Sequence, residues 1–451
     1  MRTGRASGWP LYLVAAVPGA VTAGLLFLKA PKAVSLSVAL MLLALVVLLR
    51  LGRRPAVMVC ILGASFFAGA PVKFGQLNVC DVFLLGALGF ILLHPDDTRA
   101  RMPAPRLLLV GVGLVIVGGL IGGLFQPAAD PYQAFSFPYP KTLLFFPPRI
   151  GEALRFAWGT IGVILLVRAC RLTPRQVDGA LMAYGIGATV SVAWALFSPG
   201  RGSGRAQGLT AHPVELGLIS AVAGLVGIGL LLSGRRSGRR VGTLIVVASV
   251  IGIALSGTRA ALLVLVVGVG ILQFGLRSAR RTALFLLLAP LALALAVLGG
   301  GGTSPVGTRL AGNASAELSN VGRAALRHTS ENLARHHAIT GIGFRYFFPP
   351  HNLFLAVLSA AGVIGLLGLA VLVVSLVYRL AVTRAPPTLA ALAAALAIYV
   401  SFWVLNPGWD RWLWVPIALA CAVGRSTPGR AGPEPHHGRS GISEPTARTR
   451  T

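Results

Sequence analysis

One of the longest apolar runs in the chain opens on a histidine. In FFPPHNLFLAVLSAAGVIGLLGLAVLVVSLVYR, residues 347–379, His351 and Asn352 follow two prolines and begin a stretch long enough to cross a membrane as a helix. An imidazole with an unperturbed pKa of about 6.5 is neutral at neutral pH and ready to take a proton from a hydroxyl. The same position also suits an interfacial anchor, so the residue reads either way until its surroundings are known. Three other segments bring cations: SPGRGSGRAQGLTAHPVELG (198–217), the short turn SGTRAA (256–261) and SNVGRAALRHTSENLARHH (319–337). A guanidinium stays charged at any physiological pH and offers a planar fork to phosphate oxygens, so these arginines and histidines suit an anion.

The elements that position them are membrane helices. The 451 residues are 55% hydrophobic and only 12% charged, with a mean hydropathy of +0.79, which excludes a soluble globular protein. Apolar runs fall at 11–28, 33–49, 56–72, 79–93, 107–125, 153–169, 177–197, 214–232, 241–257, 260–276, 281–298, 353–378, 388–404 and 411–424. The predicted fold is therefore all-α, a polytopic transmembrane helix bundle of about 12–14 helices with one large extracytoplasmic loop containing helix. Residues 1–424 form the bundle, with that loop at 299–352. Residues 425–451, rich in Pro, Gly, Ser and Arg, form a disordered cytoplasmic tail.

The formal charge of +28 is spread in a way that answers what it is for. Arginine clusters recur at every second connection, for example Arg53 and Arg54, Arg168 to Arg175, Arg235 to Arg240, and Arg379 and Arg384. By the positive-inside rule those connections, and both termini, face the cytoplasm. The basicity is thus topogenic, nucleic acid is not an expected partner, and the expected location is the cytoplasmic (inner) membrane. The four arginine- and aromatic-bearing outer segments are 126–152, 198–217, 256–261 and 299–352.

Acidic residues number only 12, and those near the bilayer (Asp81, Glu152, Asp178, Glu215, Asp410) sit at segment ends. A proton-coupled carrier keeps carboxylates at mid-membrane, and a divalent cation needs carboxylates spaced to hold it. Neither pattern is present in the outer segments, so no metal and no cofactor are expected. The cysteines Cys60, Cys80, Cys170 and Cys421 lie in apolar runs without ligand spacing. In the large loop, residues 319–337 read as a helix ended by Gly341, with Arg323, Arg327, Glu331 and Arg335 on one face. Most of that face is expected to be solvated and salt-bridged. Arg323 differs because it opens the helix nearest the preceding membrane segment.

Taken in order, GRAQGLTAHPVELG, LSGTRAALLVLVVG, a large loop carrying GR and TGIGF, and HNLFLAVLSAAGVIGLLGL resemble the bacterial O-antigen ligase and O-antigen polymerase superfamily over roughly residues 205–380. The resemblance implies transfer of a glycan from a polyprenyl-diphosphate carrier to an acceptor hydroxyl, outside the cytoplasmic membrane and without a metal. The partners it implies are a polyprenyl-diphosphate-linked glycan donor, a glycan or lipid-glycan acceptor, and membrane lipids. The matching positions are Arg205, Arg259 and Arg323 for the diphosphate and His351 as the proton acceptor, with His212 and Asn352 in support. A multi-pass transporter or flippase for lipid-linked glycans is the alternative from another class. It predicts related halves and a charged central cavity.

Overall fold

The computed structural model describes residues 53–74, 77–93, 105–127, 129–132, 148–198, 205–276, 314–346, 352–401 and 410–422. Among them the chain is helical, apart from a two-residue antiparallel pair, β1 (Lys73–Phe74) and β2 (Leu77–Asn78). The helices are α1 (Arg53–Gly69), α2 (Val79–Leu93), α3 (Arg106–Gly122), α4 (Pro148–Ala157), α5 (Val163–Ala169), α6 (Pro174–Phe197), α7 (Pro213–Leu232), α8 (Arg236–Ser256), α9 (Arg259–Gly275), α10 (Ala314–His336), α11 (Leu353–Val382), α12 (Pro386–Val400) and α13 (Arg411–Ala422). A π-helical turn, Trp158–Gly162, joins α4 to α5. The apolar runs 11–28, 33–49 and 281–298, the tail 425–451, residues 299–313 and residues 347–351 lie outside the described residues; the other runs fall on helices.

Among the described residues five helices are long and apolar enough to cross a membrane: Ile150–Ala169, Pro174–Phe197, Pro213–Leu232, Arg236–Ser256 and Leu353–Val382. Their starts are written in the sequence. Thr173 and Gln176 form a reciprocal capping box around Pro174 at the start of α6, Pro213 occupies the first-turn position of α7 where a missing N–H costs nothing, and Pro386 does the same in the shorter α12. Gly257 closes α8 in the left-handed conformation (φ 59°), so the chain reverses within two residues into α9.

The centre of the bundle is α7, α12 and α13, whose residues are buried almost throughout. Around it α3, α8, α9 and α11 each expose a stripe of leucine and valine, such as Leu107, Val117, Leu244, Val266, Leu367 and Val374, as helices facing lipid do. Small residues bring backbones together where water supplies no driving force. A Cβ on Gly111 of α3 would stand 2.7 Å from the Leu372 nitrogen of α11, and one on Gly368 would stand 2.6 Å from the Gly111 carbonyl oxygen.

Helix α11 is broken. Gly362 has φ 61° and ψ −161°, a region open in practice to glycine alone. The break frees carbonyls one turn back, and the segment after α10 takes them: Ile342 N–H donates to Ser359 O at 2.8 Å and Gly343 N–H to Ala360 O at 2.9 Å. Val363 N–H turns to Ala338 O at 2.9 Å. Irregular backbone at this depth persists because protein, not lipid, satisfies it. The stretch after α10 is thereby stitched to the membrane helix that follows.

Candidate functional site

Three helix ends meet on one side of the bundle: the start of α7, the end of α8 and the start of α9. Arg205 ties them together. Its Nε donates to the Ser256 carbonyl at 2.7 Å and its Nη2 to Thr258 Oγ1 at 3.2 Å. Ser256 O is among the last carbonyls of α8, which have no partner inside the helix, so the guanidinium rests where the helix dipole favours a cation. Thr258 Oγ1 in turn donates to Pro213 O at 3.3 Å. The approach is close enough that a Cβ on Gly217 would stand 2.6 Å from Ser256 Oγ.

Arg259 follows directly as the first residue of α9, and its Nη2 donates to Asn320 Oδ1 of α10 at 3.1 Å. That acceptor is a carboxamide and carries no charge. Arg323 lies three residues beyond Asn320 on α10, hence on the same side of that helix, and is half-buried. The salt-bridged face expected farther along is present: Arg327 Nε meets Glu331 Oε1 at 2.7 Å, both at the surface. Arg205, Arg259 and the helix bearing Arg323 therefore converge from three separate segments.

His212 is the N-cap of α7, its Nδ1 accepting the Val214 N–H at 3.2 Å. An accepting Nδ1 leaves the proton of the neutral ring on Nε2, so this histidine faces its surroundings as a donor. Burial, and then the Arg205 charge, hold its pKa below the usual value, with Glu215 acting in the opposite sense. Glu215 Oε2 accepts the Ala211 N–H at 3.1 Å and completes the turn. Asn352 is buried, and its Oδ1 caps α11 by accepting the Leu355 N–H at 3.1 Å. His351 lies outside the described residues. Among the described residues no three His, Cys, Asp or Glu side chains gather into a metal-binding group.

Two clusters escaped the sequence reading. In the first, Tyr132 is buried against α10 with its hydroxyl 2.9 Å from Ser330 Oγ. Ser330 gives its own proton to Leu326 O, so Tyr132 is the donor, and burial pushes its phenol up to about 12. Leu326, Ile342 and Tyr346 complete this small core, and Asp130 reaches Arg345 at 3.7 Å. Together they dock α10 onto the bundle. In the second, Asp81 of α2 binds Arg411 of α13 through two bonds, Nε to Oδ1 at 2.7 Å and Nη2 to Oδ2 at 3.2 Å. Trp158 Nε1 donates to the same Oδ1 at 2.9 Å. In the sequence Asp81 is a segment-end carboxylate, and nothing there marks Arg411 as its partner.

Residues 244–370 match the family model described as O-antigen ligase. The match spans most of α8, all of α9 and α10, the break at Gly362 and much of α11, and it contains Arg259, Arg323, His351 and Asn352; Arg205 and His212 precede it. No curated protein matches the chain. The resemblance carried by the motifs to the O-antigen ligase and polymerase superfamily is supported by this match, and with it glycan transfer of the O-antigen ligase kind.

Proposed function

We propose that the protein transfers a glycan from a polyprenyl-diphosphate carrier to an acceptor hydroxyl at the outer face of the cytoplasmic membrane, without a metal. The observation that carries this reading is the convergence of Arg205 and Arg259 at one end of the bundle, beside the helix that bears Arg323. In the reaction the acceptor oxygen attacks the anomeric carbon while the bond from that carbon to the diphosphate oxygen breaks. The electron pair leaves on the diphosphate, and the hydroxyl proton passes to a base. Three permanent cations balance the charge that grows on the departing oxygens, each lowering the barrier by about 2–4 kcal/mol if it behaves like another preorganised donor. Arg259 is bonded to a carboxamide oxygen, a neutral acceptor that orients the guanidinium without cancelling its charge, and a carbonyl and a hydroxyl help to orient Arg205.

His351 is the proton acceptor in this reading. It directly precedes the cap of α11 in sequence, and α11 is fastened to the outer segment by the bonds around Gly362. His212 supports the site as a neutral donor, and Asn352 as the cap that fixes the start of α11. Purified protein in lipid vesicles, given a polyprenyl-diphosphate-linked glycan and an acceptor in the presence of a chelator, is expected to form a new glycosidic bond. His351→Ala is expected to abolish it. Movement of the lipid-linked glycan between leaflets with no bond formed would refute the transferase reading and favour a flippase.

A further inference from the structure

A second charged feature lies at the opposite end of the bundle. Helix α7 runs 20 residues from His212 to the turn at Ser233, so the α7–α8 turn stands roughly 30 Å from the arginine cluster. There the start of α6 and this turn enclose a cleft of about 380 Å³, within the range of small-molecule sites. Its walls carry Arg175, Asp178, Arg235 and Ser237, while Met182 and Leu230 form an apolar floor. Arg235 Nη1 is bonded to Asp178 Oδ2 at 2.6 Å. No side chain caps the first turn of α8, and exposed Arg236, Arg239 and Arg240 follow on it. Nothing in glycan transfer at the other end uses these groups.

We propose that this cleft binds the phosphate of an anionic phospholipid of the cytoplasmic leaflet. Two guanidiniums and a hydroxyl match a phosphodiester, and the greasy floor matches the first carbons of an acyl chain. The arginine-rich connections put this end at the inner surface, where anionic lipid is the abundant phosphate at headgroup depth. Asp178 sets the affinity: its carboxylate competes with the lipid for Arg235, so the site is tuned below its maximum.

The test uses the full chain in detergent and measures binding of a fluorescent phosphatidylglycerol, with phosphatidylcholine and inorganic phosphate as competitors. Arg175→Gln with Arg235→Gln removes two direct hydrogen-bonding contacts to the phosphate, about 1 kcal/mol each, and is expected to weaken binding about thirtyfold. Arg239→Gln with Arg240→Gln, on the same helix but away from the cleft, is expected to change it less than about threefold. Asp178→Asn is expected to tighten it, an outcome that a misfolded variant does not give. Equal losses in the two double variants would mean a diffuse basic surface and overturn the proposal. So would displacement by phosphatidylcholine at the same concentration, or by millimolar inorganic phosphate, which would indicate a neutral lipid site or a soluble anion site respectively. Failure of Asp178→Asn to tighten binding would remove the assigned role of that carboxylate.

Discussion

Replacing Asn320 with aspartate changes one atom's identity and nothing in the shape of the side chain. It sets a carboxylate where a carboxamide oxygen now accepts from Arg259 Nη2 at 3.1 Å. At about 4 Å between charge centres, two unit charges attract by about 1 kcal/mol in water and about 4 kcal/mol near a protein surface. Asn320 is exposed and Arg259 half-buried, so the value belongs toward the lower end, about 1–2 kcal/mol. In the proposed reaction donor diphosphate has to overcome that attraction to engage Arg259, which predicts a loss of about five- to thirtyfold in kcat/KM for the lipid-linked donor. Stability is expected to hold or rise slightly, because an ion pair replaces a neutral bond. Asn320→Ala is the complement: it gives up about 1 kcal/mol of hydrogen bonding, keeps the full charge of Arg259, and is expected to lower transfer less than about fivefold. The assay is initial-rate transfer in vesicles against donor concentration at low and high salt, with thermal unfolding of the same samples. The defect of Asn320→Asp shrinks as salt screens the pair. If Asn320→Asp transfers within twofold of the unaltered protein, or if Asn320→Ala is the worse of the two, Arg259 is not spending its charge on the donor.

Other perturbations probe the frame. His212→Ala is expected to cost about 1 kcal/mol as a lost N-cap. Because the folded pKa of His212 lies below its ordinary value, protonation opposes folding. Its contribution is constant above about pH 6.5 and stability falls as pH drops from there toward the folded pKa; His212→Ala removes that slope in unfolding scans taken between pH 7.5 and 5. Gly362→Ala forces a Cβ onto the Ile339 carbonyl at a φ of 61°, so folded protein recovered from membranes is expected to fall by most of its amount, and size-exclusion of solubilised material reads this out. Asp81→Asn leaves Arg411 buried without its counter-charge and is expected to destabilise by about 3–5 kcal/mol, whereas Asp81→Leu with Arg411→Met is expected to recover much of the loss. A double variant no better than the single would mean that the pair does more than satisfy its own charges.

The helices were legible because a membrane segment announces itself by composition: the runs 177–197, 214–232 and 353–378 each fall inside a described helix of nearly the same extent. The turn at 256–261 was legible for the same reason, since two apolar runs separated by a glycine and a lone arginine leave the chain no other course. What holds Arg205 was not legible. Its partners, Ser256 O and Thr258 Oγ1, lie fifty residues away, and one of them is a backbone carbonyl that no side-chain pattern reports. The same holds for Asp81 and Arg411, which sit 330 positions apart. Asp81 reads as an ordinary segment-end charge, and only folding pairs it with Arg411.

The break in α11 shows why a hydropathy profile misses the feature that matters most to the site. Residues 353–378 carry no charged side chain, and glycine is common in membrane helices, so Gly362 carries no mark in the sequence. Its consequence depends on Gly341 and Gly343, whose positive φ values let the 338–343 segment lie against the freed carbonyls. Without that partner the break would leave donors and acceptors unsatisfied in lipid, at several kcal/mol each. Break and partner segment are therefore one structure. They fix α10, with Asn320 and Arg323, relative to the helix that follows His351 in the chain, while α10 meets Arg259 directly. A transferase that relies on fixed cations needs such a fastening, because a guanidinium free to drift relaxes toward solvent and loses the preorganisation from which its effect on the barrier derives.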